Sequence, residues 1–210
     1  MSDDPAHGFF DDERAARARR PARSVHPVRL VLAGAVVVLV AVVLVPTRDE
    51  LLYHLRAPPP VDLGAVLRDV LALVSNDLRE CDIEAHLQLA SDLPRVDGIA
   101  DKLKQVFLNL VLNARDAMPK GGRLDIRGHC DGATIAVSVT DTGTGIPREH
   151  LPKIFDAFFT TKGKVSGVGL GLSVVYGIVS LHGGSITVES EPGAGTTFTI
   201  TLPVTQRAAA

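Results

Sequence analysis

A strongly apolar helical segment interrupted by amide side chains lies at residues 105–117, QVFLNLVLNARDA. Its apolar side chains predict a helix that is buried on most sides; they are Val106, Phe107, Leu110, Val111 and Ala114. Gln105, Asn109 and Asn113 recur every four residues and therefore share one face. Because asparagine is unfavourable inside a helix and a buried amide needs hydrogen-bond partners, this face either meets solvent or binds a ligand. The motifs downstream favour a ligand.

The composition limits the classes of function. The chain has 210 residues, which suits one domain of roughly 150 residues and an appendage. It carries 22 basic and 24 acidic residues, a net charge of -2, so we expect no nucleic-acid partner. Cys81 and Cys130 are the only cysteines. They lack the spacing of a zinc site, which predicts small buried side chains in a reducing compartment.

The N-terminal part contains an apolar run of sixteen residues at 30–45, LVLAGAVVVLVAVVLV. At about 1.5 Å per residue it spans roughly 24 Å, slightly less than a hydrocarbon core of about 30 Å. We predict a single transmembrane helix at residues 30–46, behind a disordered arginine-rich arm at residues 1–29. An uncleaved signal-peptide core and a buried core helix are the alternatives.

A linker at residues 47–60 leads into an α/β pattern at residues 61–204, and residues 205–210 form a tail. Asp62 is positioned to cap the first helix, and Asp97 or Gly98 to open the second, which ends near Met118. The predicted helices cover residues 63–78, 98–118 and 170–181, with a short helical piece at 149–155. The predicted strands cover residues 83–89, 124–130, 133–140, 185–191 and 196–203. They indicate an α+β fold, a two-layer sandwich in which three helices cover one face of a mixed, mostly antiparallel sheet.

Two glycine motifs carry chemistry. In DTGTG, residues 141–145, Asp141 ends a strand, where a carboxylate can accept a hydrogen bond from an exocyclic amine such as that of adenine. In GVGLG, residues 167–171, the glycines precede a helix whose first amides can receive phosphate oxygens. Between them, FDAFFTTKGK at residues 155–164 is either a plain loop or, as we favour, a hinged lid with lysines near phosphate. Gly163 and Lys164 are followed by Val165, so no Walker A sequence is present.

The ordered motifs NLVLNARDA, DTGTG, FDAFFTTK, GVGLGL and EPGAGTTFTITLP resemble the ATP-binding domain of sensor histidine kinases, nearest to the nitrogen-regulation-like subgroup. This Bergerat fold also occurs in gyrase-type and MutL-type ATPases. The resemblance implies Mg²⁺ and ATP as cofactors, with Asn109, Asn113 and Lys162 in catalytic roles and Asn113 as the magnesium ligand. It implies that ATP contacts Asn113, Asp116, Asp141, Gly143, Gly145, Lys162, Gly167, Gly169, Leu170, Gly171 and Thr196.

Three positions within the motifs are distinctive: one separates this chain from gyrase-like hydrolases, and two depart from the usual histidine kinase sequence. Gyrase-like hydrolases carry a glutamate where this helix has Asn109, so no carboxylate activates water there, and transfer to a protein fits better than hydrolysis. Ala157 replaces a usual proline and Val168 a usual threonine or serine, which affects lid order more than fold.

The phosphoacceptor histidine of the family, which an acidic residue follows, is not identified. The seven histidines are His7, His26, His54, His86, His129, His150 and His182, and none precedes Asp or Glu. The leading hypothesis is a kinase that phosphorylates a histidine of a dimerisation hairpin on another chain, with a response regulator as a further partner. A non-catalytic nucleotide-binding regulatory module and an anti-sigma-type serine kinase are the alternatives.

The expected location is the inner membrane, crossed once, with the ATP-binding domain in the cytoplasm, where ATP is available. The arginine-rich arm predicts the opposite orientation, because positive charge stays on the cytoplasmic side of a span.

Overall fold

The structure is a computed structural model that describes residues 58–161 and 168–205, which lie within the unit Pro46–Ala210. Its helices are α1 (Leu63–Glu80), α2 (Ala100–Ala117) and α3 (Gly171–Leu181), with a 3₁₀ turn at Leu151–Lys153. Its strands are β1 (Pro60–Val61), β2 (Ile83–Leu89), β3 (Val96–Asp97), β4 (Gly122–Asp131), β5 (Thr134–Asp141), β6 (Ser185–Glu191) and β7 (Gly195–Pro203). The elements predicted between residues 61 and 204 are all present, with ends that move by a few residues.

The main sheet has five strands in the order β2-β4-β5-β7-β6. β2 pairs with β4 in parallel, and the other pairs are antiparallel, which confirms the mixed, mostly antiparallel sheet. Side chains of β5 alternate between the two faces, so Ile135, Val137 and Val139 are buried while Ser138 and Thr140 are partly exposed. The helices cover the buried face, and the opposite face carries polar side chains.

The core lies between this face and the three helices. Each helix contributes an apolar stripe with helical spacing, and the larger fully buried side chains are Leu63, Leu67, Leu103, Phe107, Leu110, Leu124, Ile126, Ile135, Ile200 and Leu202. Asp62 caps α1 as predicted, because its carboxylate accepts a hydrogen bond from Ala65 N at 3.0 Å. Helix α2 packs against α1, α3 and the sheet. Its position therefore determines where the amide stripe points.

The predicted start of α2 is wrong by two or three residues. Its N-cap is Ile99, and the helix begins at Ala100. Asp97 lies instead in β3, where it pairs with Pro60 and accepts a hydrogen bond from Thr205 Oγ1 at 3.1 Å. This pairing also moves the end of the predicted linker, because Pro60 belongs to a strand.

The prediction that both cysteines are buried is wrong. Cys81 and Cys130 are exposed. Cys81 is the C-cap of α1, and Cys130 lies near the end of β4 beside the turn at Gly132, so both occupy element ends that the core does not reach.

A buried histidine binds the N-terminus of α2, where the N-cap residue Ile99 makes no side-chain capping hydrogen bond. His182, which is 3% exposed, accepts a hydrogen bond from Ile99 N at Nε2, at 3.0 Å. The proton is therefore on Nδ1, which donates to Ile178 O at 2.7 Å. His182 follows α3 directly, so the ring joins the C-terminus of α3 to the N-terminus of α2. Burial lowers the pKa of His182 below its ordinary value of 6.5, against the opposing effect of the bond to Ile178.

Within residues 58–161 and 168–205, no helix combines the length and apolar character needed to cross a membrane. The arm at residues 1–29, the apolar run at 30–46 and most of the predicted linker and tail lie outside the described residues.

We predict that stability falls as the pH drops below about 6.5, since the unfolded chain then takes up a proton that the folded His182 resists. His182→Gln should remove this part of the pH dependence, because glutamine does not titrate. It should also cost about 1 to 3 kcal/mol at pH 7.5 by weakening the bond to Ile99 N. Urea unfolding at pH 7.5 and 5.5 measures both effects, and His86→Gln, on the polar sheet face, is the matched control. An unchanged pH dependence in His182→Gln would contradict the prediction.

Candidate functional site

One end of the site is a buried carboxylate at the end of a central strand. Asp141 is the last residue of β5 and is 4% exposed. Its Oδ1 accepts a hydrogen bond from Gly143 N at 2.9 Å. Thr196 lies opposite Asp141 on β7 and is equally buried, so two polar side chains meet where the core would otherwise be apolar. A buried carboxylate at this place is costly unless it has a partner, which points to a ligand that donates a hydrogen bond.

Burial raises the pKa of Asp141 above its ordinary value of 3.8, while hydrogen bonds from the backbone N–H groups of Gly143 and Thr196 act in the opposite direction. The charged form is therefore disfavoured by its surroundings and only partly compensated by the backbone. A donor from a bound ligand would complete the compensation.

The DTGTG loop packs so closely against neighbouring backbone that neither of its two glycines can be replaced without movement of the surrounding atoms. A Cβ at Gly143 would lie 2.5 Å from Ala117 O, at the end of α2. A Cβ at Gly145, where φ is +67°, would overlap Glu191 O. Thr144 N donates to Ala117 O at 2.9 Å and holds the loop against α2. The absence of side chains at both glycines therefore lets the loop after Asp141 pack directly against the backbone at Ala117 and Glu191.

The other end of the site is the start of α3. This helix begins at Gly171, and its N-cap, Leu170, makes no side-chain capping hydrogen bond, so the helix start offers backbone amides. Asn109 Nδ2 donates to Gly171 O at 3.3 Å, and Asn113 Nδ2 lies 3.9 Å from the Cβ position of Gly171. The amide stripe therefore faces α3 at Asn109 and Asn113, and only Gln105 is exposed. This favours the ligand interpretation over a solvent stripe.

The described part of the predicted lid begins and ends beside α3. Phe158 N donates to Gly169 O at 2.8 Å, and both residues have positive φ, at +67° and +72°. Phe159 packs edge-on against the ring of His150, with ring centroids 5.5 Å apart. Lys162 and Gly167 lie outside the described residues, so their roles stay predictions.

Asp116 lies one turn beyond Asn113, near the end of α2, and is exposed. Its Oδ1 forms an ion pair with Arg115 Nη2 at 2.8 Å. Arg115 also reaches Asp77 Oδ2 of α1 at 3.4 Å. Its guanidinium therefore links α1 to the C-terminal part of α2.

Sequence reasoning missed Ser190, which lies next to Thr196 on the neighbouring strand. Its Oγ accepts a hydrogen bond from Ile146 N at 2.7 Å and lies 2.9 Å from Thr196 Oγ1. A signal was present, because Ser190 continues the alternation of Ile186 and Val188 on β6 and is therefore a polar residue on the apolar face.

The described residues contain no group of three or more His, Cys, Asp or Glu side chains that could hold a metal ion. A cation at this site would therefore need oxygen atoms from a ligand, together with the amide of Asn113. Mg²⁺ commonly binds in this way, with few protein ligands and several phosphate or water oxygens.

Known proteins share both sequence and architecture with this chain. The profile of the family described as histidine kinase-, DNA gyrase B-, and HSP90-like ATPase matches residues 98–206. The sensor histidine kinase ZraS of Escherichia coli (strain K12) is 43% identical over 144 residues, which cover 69% of this chain and 30% of ZraS. This chain thus aligns with less than a third of that relative's length.

Solved structures agree with the sequence comparison. The nucleotide-free catalytic domain of the histidine kinase ThkA matches with a TM-score of 0.64 and 32% identity, over 70% of this chain and 95% of that chain. ThkA in complex with the response regulator protein TrrA matches with a TM-score of 0.62 and 27% identity, over 93% of this chain and 56% of that chain.

We predict that Asp141→Asn weakens ATP binding by roughly 1 to 3 kcal/mol, since the ligand loses a charged hydrogen-bond acceptor. The ligand-free variant should be at least as stable as the parent at pH 7, because an unfavourable buried charge is gone. The difference in stability between the variant and the parent should narrow as the pH falls through the raised pKa of Asp141, because the parent carboxyl then becomes neutral as well. Calorimetry and urea unfolding measure the two effects, with the exposed Asp92→Asn as control. Unchanged ATP affinity would refute the assignment of Asp141.

Proposed function

This chain belongs to the histidine kinase-, DNA gyrase B-, and HSP90-like ATPase family and contains the ATP-binding catalytic domain of sensor histidine kinases, and we propose that it transfers the γ-phosphoryl group of Mg-ATP to a histidine on another chain. The observation that carries the proposal is the approach of the α2 amide stripe to the uncapped start of α3. In the proposed site, these amides and the helix-start N–H groups form one end, and the buried carboxylate of Asp141 forms the other.

The two ends fit the two parts of ATP. Asp141 accepts a hydrogen bond from the adenine amino group, and the loop backbone at Gly143 and Gly145 lies beside the base. The phosphates lie at the start of α3, where backbone N–H groups and the positive end of the helix dipole favour negative charge. Gly169 and Leu170 belong to this segment by sequence, and Gly167 and Lys162 complete it in the proposal.

Asn113 would hold magnesium through its side-chain amide oxygen, and the metal would supply neutralisation of the charge that develops on the transferred group. Asn109 positions the helix start through its hydrogen bond to Gly171 O. The chain's own contribution to the chemistry is positioning and charge neutralisation, which dominate catalysis of phosphoryl transfer.

The polar character of α2 favours transfer over hydrolysis. An amide cannot take a proton from water at neutral pH, and Asn109 Nδ2 is engaged with the backbone of α3. The acceptor is proposed to be a histidine on a separate helical hairpin, because no histidine of this chain precedes an acidic residue.

An exposed apolar surface beside the site suits such a hairpin. It includes Phe158, Val168 and Tyr176, which are 58%, 54% and 53% exposed, and the ring of Tyr176 packs 5.7 Å from that of the half-buried Phe155. Exposed large apolar side chains commonly mark a protein-binding surface. A response regulator is proposed as the further partner, since ThkA binds one.

We also propose a single membrane span at residues 30–46 with the catalytic domain in the cytoplasm.

We predict that the full chain binds Mg-ATP but neither labels itself nor hydrolyses ATP appreciably. Addition of a separate hairpin that carries a His-Glu acceptor should produce acid-labile label on the hairpin.

Asn113→Ala should weaken binding of Mg-ATP by roughly 1 to 3 kcal/mol and abolish transfer, because a metal-linked contact is lost. Asn76→Ala, on the exposed side of α1, is the control. Acid-labile label on this chain alone would identify an acceptor within it and overturn transfer in trans.

A second prediction concerns the apolar surface. Tyr176→Ala should reduce transfer to the hairpin about tenfold, as expected for an aromatic interface residue, while ATP affinity stays unchanged. Leu73→Ala, which removes another exposed apolar side chain on α1, should leave transfer intact. Equal effects of the two substitutions would show that the hairpin docks elsewhere.

A further inference from the structure

Three polar side chains form a row across one end of the sheet, on the face that the helices cover. Asp141 of β5 lies opposite Thr196 of β7, and Thr196 lies opposite Ser190 of β6. Directly opposed residues of antiparallel strands point to the same side of a sheet, so the three side chains are neighbours. Asp141 and Thr196 belong to the predicted nucleotide site, whereas Ser190 has no assigned role.

Ser190 uses its whole hydrogen-bonding capacity within the protein. Its Oγ accepts a hydrogen bond from Ile146 N at 2.7 Å, donates to Gly195 O at 3.0 Å and contacts Thr196 Oγ1 at 2.9 Å. These contacts connect Ile146, which directly follows the DTGTG loop, to the first two residues of β7, of which Thr196 lies opposite Asp141. The serine on β6 thus joins two further segments that lie beside Asp141.

The positions of the protons follow from these contacts. A serine hydroxyl has one proton and two lone pairs, and the proton of Ser190 goes to Gly195 O. One lone pair receives Ile146 N–H, so the contact with Thr196 is a hydrogen bond only if Thr196 donates. The Thr196 proton therefore points toward Ser190, and Thr196 Oγ1 keeps lone pairs for another partner. The row then presents two adjacent hydrogen-bond acceptors, which are the Asp141 carboxylate and Thr196 Oγ1.

We infer that Ser190 is a positioning residue that selects the base of the bound nucleotide by holding Thr196 as a hydrogen-bond acceptor beside Asp141. The inference rests on the proposed nucleotide site. Two adjacent acceptors are complementary to an exocyclic amino group, which has two hydrogens, and they repel a carbonyl oxygen at the same position. Adenine carries the amino group, whereas hypoxanthine carries the carbonyl, so the row favours ATP over ITP.

Removal of the serine hydroxyl frees the proton of Thr196. The threonine can then rotate its hydroxyl and donate to a carbonyl, which relieves the repulsion against ITP. It also leaves Ile146 N without its acceptor, so the loop around Gly145 is held less firmly. Ser190→Ala should therefore weaken ATP binding more than ITP binding, because discrimination of this kind depends on fixed polar groups.

The test compares the affinities of the full chain for Mg-ATP, Mg-ITP and inorganic tripolyphosphate by calorimetry. Ser190→Ala should lower the ratio of ATP to ITP affinity about fivefold or more, the size expected for one lost hydrogen bond, with tripolyphosphate affinity unchanged. Ser190→Thr should retain the parent ratio, because it keeps the hydroxyl. Ser185→Ala, at the other end of β6, should behave like the parent.

A second variant covers the case in which Ser190→Ala does not fold. Thr196→Val removes the hydroxyl that Ser190 is inferred to orient, and it should lower the same ratio. Where both variants fold, the double variant should lose no more discrimination than either single one, since the two residues act through one group. Additive losses would show that Ser190 acts independently of Thr196 and would overturn the inference.

The outcomes separate the inference from the proposed function. If the parent binds Mg-ATP and its preference over Mg-ITP survives Ser190→Ala, Ser190 is a structural residue and only the inference fails. If the parent binds neither nucleotide, the nucleotide site itself is wrong, and the inference fails with it.

Discussion

The packing of α2 between the sheet and its neighbouring helices is the constraint on which the rest of the structure depends. Its buried stripe, centred on Phe107 and Leu110, determines which way the remaining face points. That face carries the amides, and α3 forms a polar contact with α2 or its N-cap residue at each of its own two ends. Asn109 contacts Gly171 O where α3 begins, and His182 accepts the hydrogen bond of Ile99 N where α3 ends. Two polar contacts at opposite ends of an apolar interface therefore fix the position of the amide stripe relative to the start of α3.

The site itself is built against the tendency of a core to exclude polar groups. Asp141 and Thr196 occupy positions that continue the apolar alternation of β5 and β7, and the backbone compensates the carboxylate only in part. The neighbouring glycines pack so tightly that no side chain fits. Such local costs are tolerated because the large core beneath supplies the stability, and they leave unfilled hydrogen-bonding capacity for a ligand.

Much of the fold was predictable from local patterns. Alternation predicted the strands of the main sheet, and helical periodicity predicted α1, α2 and α3. The failures depend on tertiary packing, which local sequence patterns do not report. Asp97 does not cap α2 because it belongs to β3, where it pairs with Pro60 of β1. Cys81 is exposed because it lies at the end of a helix, at a point that the core does not cover.

The sequence by itself determined which residue types could bind a nucleotide, because amide spacing, a strand-terminal aspartate and glycine runs are local properties of the chain. Only the tertiary structure decided that Asn109 and Asn113 face α3 rather than solvent, since that depends on which side of α2 the core covers. It also decided that Ser190 and His182 matter, because their partners lie on other elements. The partners are Ile146 directly after the DTGTG loop and Thr196 on β7 for the serine, and Ile99 before α2 for the histidine. Hydrogen bonds across such separations exist only after the strands have paired and the helices have packed.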